Sequence, residues 1–340
     1  MKKSLLALAV LGAFAGAAQA QTGVTVYGSF DAGVRHLTNA AKDANGNDAS
    51  TTKMSSSGTY NSNRFGFKGV EDLGSGLNAH FTLEGDFNSG TGAQAAAGGL
   101  FRRSAYVGLG GSWGSLDLGR QYSVNFKTVG AYDPFNYKYT GIIPLATLGG
   151  LTRFDNDIQY TGTFGPITAR AEYALGEVAG STSNGATQAV GGTYAGGPFS
   201  VGAAYTQRKN NVGATGYQDF KNWTIGGAYS TGPFRVALGY NNAKQDTGVP
   251  AAATATVKDW WLGGSYAMTP AAALTAGYYQ TKGDAAGVNA KRKLFIIGST
   301  YALSKRTNFY ADIDNARFDV SAGTAPKSQT GISVGINHLF

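Results

Sequence analysis

From Gly226 the chain reads GGAYSTGPFRVALGY, with apolar and polar positions alternating on both sides of a Gly-Pro turn. Phe234, Val236, Leu238 and Tyr240 fall on one face of a strand; Arg235, Ala237, Gly239 and Asn241 fall on the other. Period-2 patterning of this kind marks a strand with one oily and one wet face. The unit recurs from Gly191, Gly226, Gly263 and, more loosely, Gly298 and Gln159, with a tyrosine before each turn at 160, 194, 229, 266 and 301. Repeats at this spacing are supersecondary units. Here each is a hairpin: strand, tight Gly/Pro turn, strand, then a longer loop rich in Ala, Asn, Gly and Thr.

Extended along the chain, the rule predicts sixteen strands, from 24–37, 62–72 and 77–88 to 291–303, 307–318 and 328–340. Their lengths suit tilted membrane-spanning strands, and an open sheet edge cannot exist in lipid. The expected fold is all-β: a 16-stranded antiparallel transmembrane β-barrel, one domain over residues 21–340, with both termini on the short-turn side. A barrel this wide cannot be filled by side chains, so its interior is water. Phe234, Val236 and Leu238 must then face lipid, and Arg235 the lumen.

The opening MKKSLLALAVLGAFAGAAQA has a basic start, an apolar run and a small-residue Ala18-Gln19-Ala20 end. It reads as a signal peptide over 1–20 that is removed on export. With no cysteine, the fold does without disulfides. Charged residues are only 14%, against about 25% in soluble domains. Removing Lys2 and Lys3 from the 28 basic residues leaves 26 against 20 acidic, a net charge of +6. No basic run is longer than Lys291–Lys293, so nucleic acid is not an expected partner. The three histidines, His36, His80 and His338, stand in no catalytic or metal-ligand spacing, and neither an enzyme nor a cofactor is expected.

Two loops are long. The stretch 38–61 is polar and reads as an ordinary surface loop. The stretch 123–151 carries Phe126, Tyr132, Phe135, Tyr137, Tyr139, Ile142, Ile143, Leu145 and Leu148 and is costly to leave in water. Folding into the barrel, where it narrows the channel, is the favoured reading; a protruding loop over a subunit contact is the alternative.

VTVYGSFDAGV at 24–34, SNRFGFKGVEDLGSGL at 62–77, RRSAYVGLGGSWGSLDLGRQY at 102–122, RFDNDIQY at 153–160 and the terminal GISVGINHLF come in this order. Together they resemble the trimeric general-diffusion porins of Gram-negative outer membranes, most closely the beta-proteobacterial type. The resemblance covers the whole mature chain. It implies a passive, multi-pass outer-membrane channel with periplasmic termini, a homotrimer amid lipid and lipopolysaccharide, and a third loop folded inward as a constriction. It matches Arg64, Arg103 and Arg153 to the arginines of one pore wall, and Phe340 to the C-terminal signal read by the barrel-assembly machinery. Strand parity agrees for Arg64 and Lys68, and admits only one of Arg102 and Arg103, taken as Arg103. Arg120 is the expected anchor of the long loop. Asp133, the only acid within 123–151, is the expected facing carboxylate. Three arginines against one acid predict a positive constriction preferring small anions, since guanidinium stays charged and offers several donors. A solute-specific porin for a small anionic metabolite and a surface adhesin are the other readings.

Overall fold

The computed structural model describes residues 23–54, 57–146, 151–211, 217–246, 254–285, 288–320 and 326–340. The leader expected at 1–20 and Leu148 lie outside them. Strand β1 (Gly23–Lys42) leads to β2 (Asp48–Met54), β3 (Arg64–Gly74) and β4 (Leu77–Asp86). Next come β5 (Ser104–Gly111) and β6 (Gly114–Tyr122), then two short helices, α1 (Val124–Val129) and α2 (Ile143–Ala146). Five hairpins follow: β7 (Arg153–Phe164) with β8 (Ile167–Ala174), β9 (Thr187–Gly196) with β10 (Phe199–Asn211), β11 (Tyr217–Thr231) with β12 (Phe234–Gln245), β13 (Ala255–Ala267) with β14 (Ala272–Ala285), and β15 (Val288–Ala302) with β16 (Thr307–Val320). The last strand is β17 (Ser328–Leu339).

Successive strands pair antiparallel, and β17 returns to β1 from Ser29↔Leu339 to Leu37↔Gly331, which closes the sheet. The seventeen strands fill sixteen positions, because β3 pairs with Gly23–Ser29 of β1 and β2 with its Val34–Lys42 part on the same edge. The expectation of a plain surface loop over 38–61 is corrected here. Both faces of the β1–β2 extension are polar, so no alternation marks it; cross-strand contacts such as Lys42–Asp48 at 2.7 Å and His36–Thr52 at 2.8 Å join it instead.

Which face is outside is settled by exposure: Phe234, Val236 and Leu238 are 54%, 51% and 57% exposed, whereas Ala237 and Asn241 are fully buried. In water such a surface would be untenable; in lipid it is the contact face. Aromatic residues recur six positions apart on the outer face, as Phe199 and Tyr205, Trp223 and Tyr229, Phe234 and Tyr240, Trp260 and Tyr266, and Phe295 and Tyr301. They make two rings around an aliphatic band, with rim pairs such as Phe234–Tyr266 at 4.7 Å and Trp260–Tyr278 at 5.2 Å. Amphipathic rings at the two membrane–water boundaries are what this spacing provides.

At one rim the turns are tight. Gly165, Gly197 and Gly232 precede prolines in two-residue turns with φ of 59°, 56° and 52°. A positive φ at the first central position twists the turn with its strands, and glycine reaches it without a Cβ clash. Both ends of the described barrel lie at this rim: Gly23 pairs with Val70 near one turn, and Leu339 N–H donates to the Arg306 carbonyl at 2.8 Å in another. Gly232→Val should cost about 1–2 kcal/mol through the left-handed backbone, read as a lower guanidinium midpoint for the barrel refolded in vesicles.

Candidate pore constriction

The segment after β6 turns inward at once. Ser123 caps α1 by accepting the Phe126 N–H at 3.0 Å, and its hydroxyl donates to the Leu151 carbonyl at 2.5 Å, pinning the two ends of the segment together. From there the chain runs around the inner wall. Val124 N–H donates to Glu172 Oε2 on β8 at 2.9 Å, and Asn125 to Asn222 on β11 at 2.8 Å. The Lys127 ammonium donates to Gln159 on β7, and burial holds its pKa below the usual lysine range. Tyr132 reaches Thr224 at 2.8 Å and stacks on Trp261, whose indole N–H donates to the Tyr132 carbonyl at 3.2 Å. Arg235 of β12 donates to the carbonyls of Ala131 at 3.1 Å and Asp133 at 2.9 Å. Finally, Tyr139 donates to the Ser299 carbonyl on β15 at 3.3 Å.

The wall is shaped for this path. A Cβ on Gly226 or Gly239 would overlap the rings of Tyr132 or Trp261, and one on Gly263, Gly277 or Gly298 would press on Pro134, Phe135 or Tyr139. Inward glycines on five successive strands thus leave a track into which the loop's large side chains fit. The track gives the aromatic segment its burial: Val129, Tyr132, Phe135, Tyr139 and Ile142 form one buried cluster with Trp261, Tyr279 and Tyr310.

The far end of the segment is tied to the first loop. Tyr139 and Thr140 N–H groups donate to the Tyr60 and Thr59 carbonyls at 2.8 and 2.7 Å. Residues 59–61 in turn donate three backbone bonds to Asp31, at 3.2, 3.1 and 2.8 Å.

Asp133, expected to face the pore, is instead fully buried. Its carboxylate accepts the Phe135 and Tyr137 N–H groups at 3.0 and 2.9 Å and the Tyr279 hydroxyl at 2.9 Å. These bonds hold a turn in which Asn136 and Tyr137 take positive φ. Burial pushes the acid up to about 6 despite the donors around it.

A second group of basic side chains stands on the opposite wall, apart from Arg170 of β8, Arg208 of β10, Arg235 of β12 and Arg292 of β15, which face inward on the loop's own arc. Arg103 is buried, donating to Glu84 at 2.6 Å and to the Tyr122 hydroxyl at 2.7 Å. Arg64 reaches the same Glu84 at 3.6 Å and Asn61 at 3.1 Å. Arg102 holds both oxygens of Asp86, at 2.7 and 2.9 Å. Both arginines of the pair therefore meet inward carboxylates; strict alternation does not apply to them because β5 begins only at Ser104. Arg153 lies 4.1 Å from the centre of the Tyr122 ring, and its Nε has no hydrogen-bond partner among the described residues. Lys68 stands over Tyr27 at 5.3 Å. Arg120 bridges the ends of β5 and β7, donating to the Arg102 carbonyl and to Asp155, both at 2.5 Å. From the loop, Lys138 joins this group: it sits over Tyr60, and burial, then the nearby Arg64 charge, lower its pKa.

Glu84 and Asp86 are the site residues that counting acids in 123–151 missed. Pairing of Arg64 with Asp86 and Gly66 with Glu84 puts both carboxylates on the inward face, so β3–β4 parity carried the signal.

Residues 7–321 match the family described as Gram-negative porin. The chain belongs to that family. Outer membrane porin protein 32 of Delftia acidovorans is 32% identical to this porin over 372 positions, covering 100% of both proteins. An outer membrane porin protein of Bordetella pertussis is 42% identical over 174 residues, a match covering 47% of this porin and 44% of that protein. Among solved structures, an anion-selective porin from Comamonas acidovorans superposes with a TM-score of 0.79 at 27% identity, covering 94% of this porin and 100% of that chain. The trimer form of OmpT of Vibrio cholerae shares the fold, with a TM-score of 0.71 at 18% identity over 94% of this porin and 99% of that chain. This porin is thus a multi-pass β-barrel of the outer membrane.

Two outcomes follow for the inward segment. Gly226→Val should unseat Tyr132 and open the backbone of 130–139 to a protease that the unaltered porin resists. The Asp133 carboxyl keeps its proton up to about pH 6 when docked, whereas an exposed carboxyl releases it near pH 4. Docking therefore weakens as the pH rises between those values and is constant above them. Hydrogen exchange at Phe135 and Tyr137, corrected for intrinsic rates, should show this slope, and Asp133→Asn should flatten it.

Proposed function

We propose that this porin is a passive diffusion channel for small hydrophilic solutes, with a preference for small anions. The observation that carries the reading is the division of the lumen: residues 123–146 are held against the inner wall from β7 to β15, and Arg64, Arg102 and Arg103 stand on the arc left uncovered. We take 123–151 as the constriction loop, and Arg64, Lys68, Arg103 and Arg153, with Arg102, as the basic face of the passage. The relative from Comamonas acidovorans is described as anion-selective, which supports the sign of the preference. Asp133 has no part in it, being buried. Glu84 and Asp86 offset part of the arginine charge, so the field is weaker than a bare arginine row would set up. Arg153 and Lys68 have no ion pair to a described carboxylate and are the less compensated members.

The wider setting follows the same reading. Residues 1–20 act as the export leader, and Phe340 as the signal for the barrel-assembly machinery. The Phe340 backbone pairs with Gly28 in both directions, at 3.0 and 3.2 Å, so the last residue also completes the seam. The active form is a homotrimer, as in the OmpT trimer form. Its contact lies on β17, β1 and β3–β5, whose outward positions are mostly aliphatic, Phe or Gly with no outward Tyr or Trp within these strands, unlike β10–β15; the exposed Trp113, in the turn after β5, stacks on Tyr160 of β7 and ends the bare stretch. A missing girdle marks wall that meets protein rather than the membrane boundary. Lipid and lipopolysaccharide surround the remainder. A sugar-type stacking ladder is not favoured: Trp261 is covered by the loop, and Trp260 points outward.

Replacing Arg64, Arg103 and Arg153 together by Ala should move the reversal potential under a KCl gradient towards cations, because Glu84 and Asp86 remain. An unmoved potential would remove these arginines from the passage. Asp133→Asn should leave the potential where it is.

A further inference from the structure

On the outer wall beyond the upper aromatic ring, Lys258 of β13 stands beside Lys282 of β14, and Lys282 beside Lys291 of β15. Three ammonium groups thus share one lateral row across three neighbouring strands. One step nearer the ring, Lys293 of β15 stands opposite Arg317 of β16. All five have the outward parity of Trp260, Tyr278 and Phe295. Like charges placed directly opposite each other in a sheet are destabilising. No ion pair joins any of the five to another described residue. The row opens onto a groove of about 530 Å³ lined by Thr256, Lys258, Lys282, Asp284, Lys291 and Asp319. Asp319 of β16 stands opposite Lys291 and Asp284 lies two residues beyond Lys282, so the groove itself has three cations to two carboxylates, and Lys293 and Arg317 beside it make the face five to two.

Depth selects the kind of anion. A strand step of two residues is about 6.8 Å, and the headgroup layer extends roughly 5–8 Å beyond the hydrocarbon. The lysine row, one to two steps past the aromatic ring, therefore lies among headgroups. Strands about 4.8 Å apart spread the three lysines over roughly 10 Å, room for two phosphates, each between a pair of ammonium groups. We propose that this face binds the phosphorylated headgroup of an anionic lipid of the outer leaflet, with its phosphates bridging Lys258, Lys282 and Lys291. The assignment rests on the outer-membrane placement, and it gives the surrounding lipid a specific seat on β13–β16, away from the wall assigned to subunit contact. Lysine suits the task, since flexible stems bring point charges to phosphates without demanding one geometry.

The test uses the purified full-length channel in detergent, titrated by native mass spectrometry with a bisphosphorylated glycolipid and with the same lipid dephosphorylated. The unaltered channel should retain the phosphorylated form. A Lys258→Gln, Lys282→Gln, Lys291→Gln variant should bind it about tenfold or more weakly, as expected when three near-surface cations are lost. Lys305→Gln with Arg306→Gln, at the opposite rim, should bind as the unaltered channel does. Equal binding by the triple variant would overturn the proposal. So would equal retention of the dephosphorylated lipid, or tight binding of inorganic phosphate alone. Single-channel conductance keeps this separate from the channel reading: the lysines point away from the lumen, so every variant should conduct normally. A failure of the unaltered protein to conduct would strike the channel reading and leave the lipid titration standing.

Discussion

Backbone N–H and C=O groups cannot be left unpaired in hydrocarbon, and the rest of this molecule follows from meeting that demand. The β1–β17 ladder closes the sheet, and closure forces an inside-out arrangement. The wall has no protein core to cover, so its apolar face goes to lipid and its polar face to the interior. An interior of that size would be an unobstructed water column. The main buried cluster among the described residues joins an inserted segment to inward strand residues such as Trp261, Tyr279 and Tyr310, seated where glycines thin the wall. Mid-strand glycine ordinarily weakens a sheet; here the missing side chains make room for Tyr132, Phe135 and Tyr139.

Charge inside the barrel is arranged in pairs as much as in rows. Arg103 and Glu84 are both buried, and removing one partner of such a pair costs about 3–5 kcal/mol because the other is left uncompensated. Arg120 and Asp155 are far more exposed, and a pair like that is worth about 0–1 kcal/mol. The basic wall thus has a rigid part, where arginine position is set by carboxylates, and a looser part at its edge. The carboxylates hold the guanidinium groups in place and at the same time lower the field they produce.

Much of the barrel could be read from the chain because lipid imposes a strict rule on every second residue: strands, hairpin turns, aromatic rings and the outward face all follow from it. Where that rule lapses, the sequence is silent. The polar β1–β2 extension meets water on both faces and shows no period. Arg102 and Arg103 lie just before β5 begins, so parity had no hold on them. The inward segment was legible as a burden of aromatic residues in search of cover, but its path depends on gaps between side chains on strands far apart in the sequence. Asp133 misled for a different reason. The family resemblance puts loop carboxylates on the wall facing the arginines and so pointed to Asp133, whereas the turn at Asn136 and Tyr137 needs an acceptor for two backbone donors.

The tie between the inward segment and residues 59–60 has a mechanical consequence. A ring of sixteen strands around water has nothing at its centre to resist flattening, because hydrogen bonds along a closed sheet hold its circumference and not its roundness. Fixed at β6 and Leu151 at one end and, through the first loop and Asp31, at β1 on the other, the segment acts as an internal strut. It couples distant arcs of the wall, so an oval distortion would have to stretch the strut or pull it from its glycine seats. Lateral pressure from the membrane is then borne by the strut, and the cross-section of the passage is set from within.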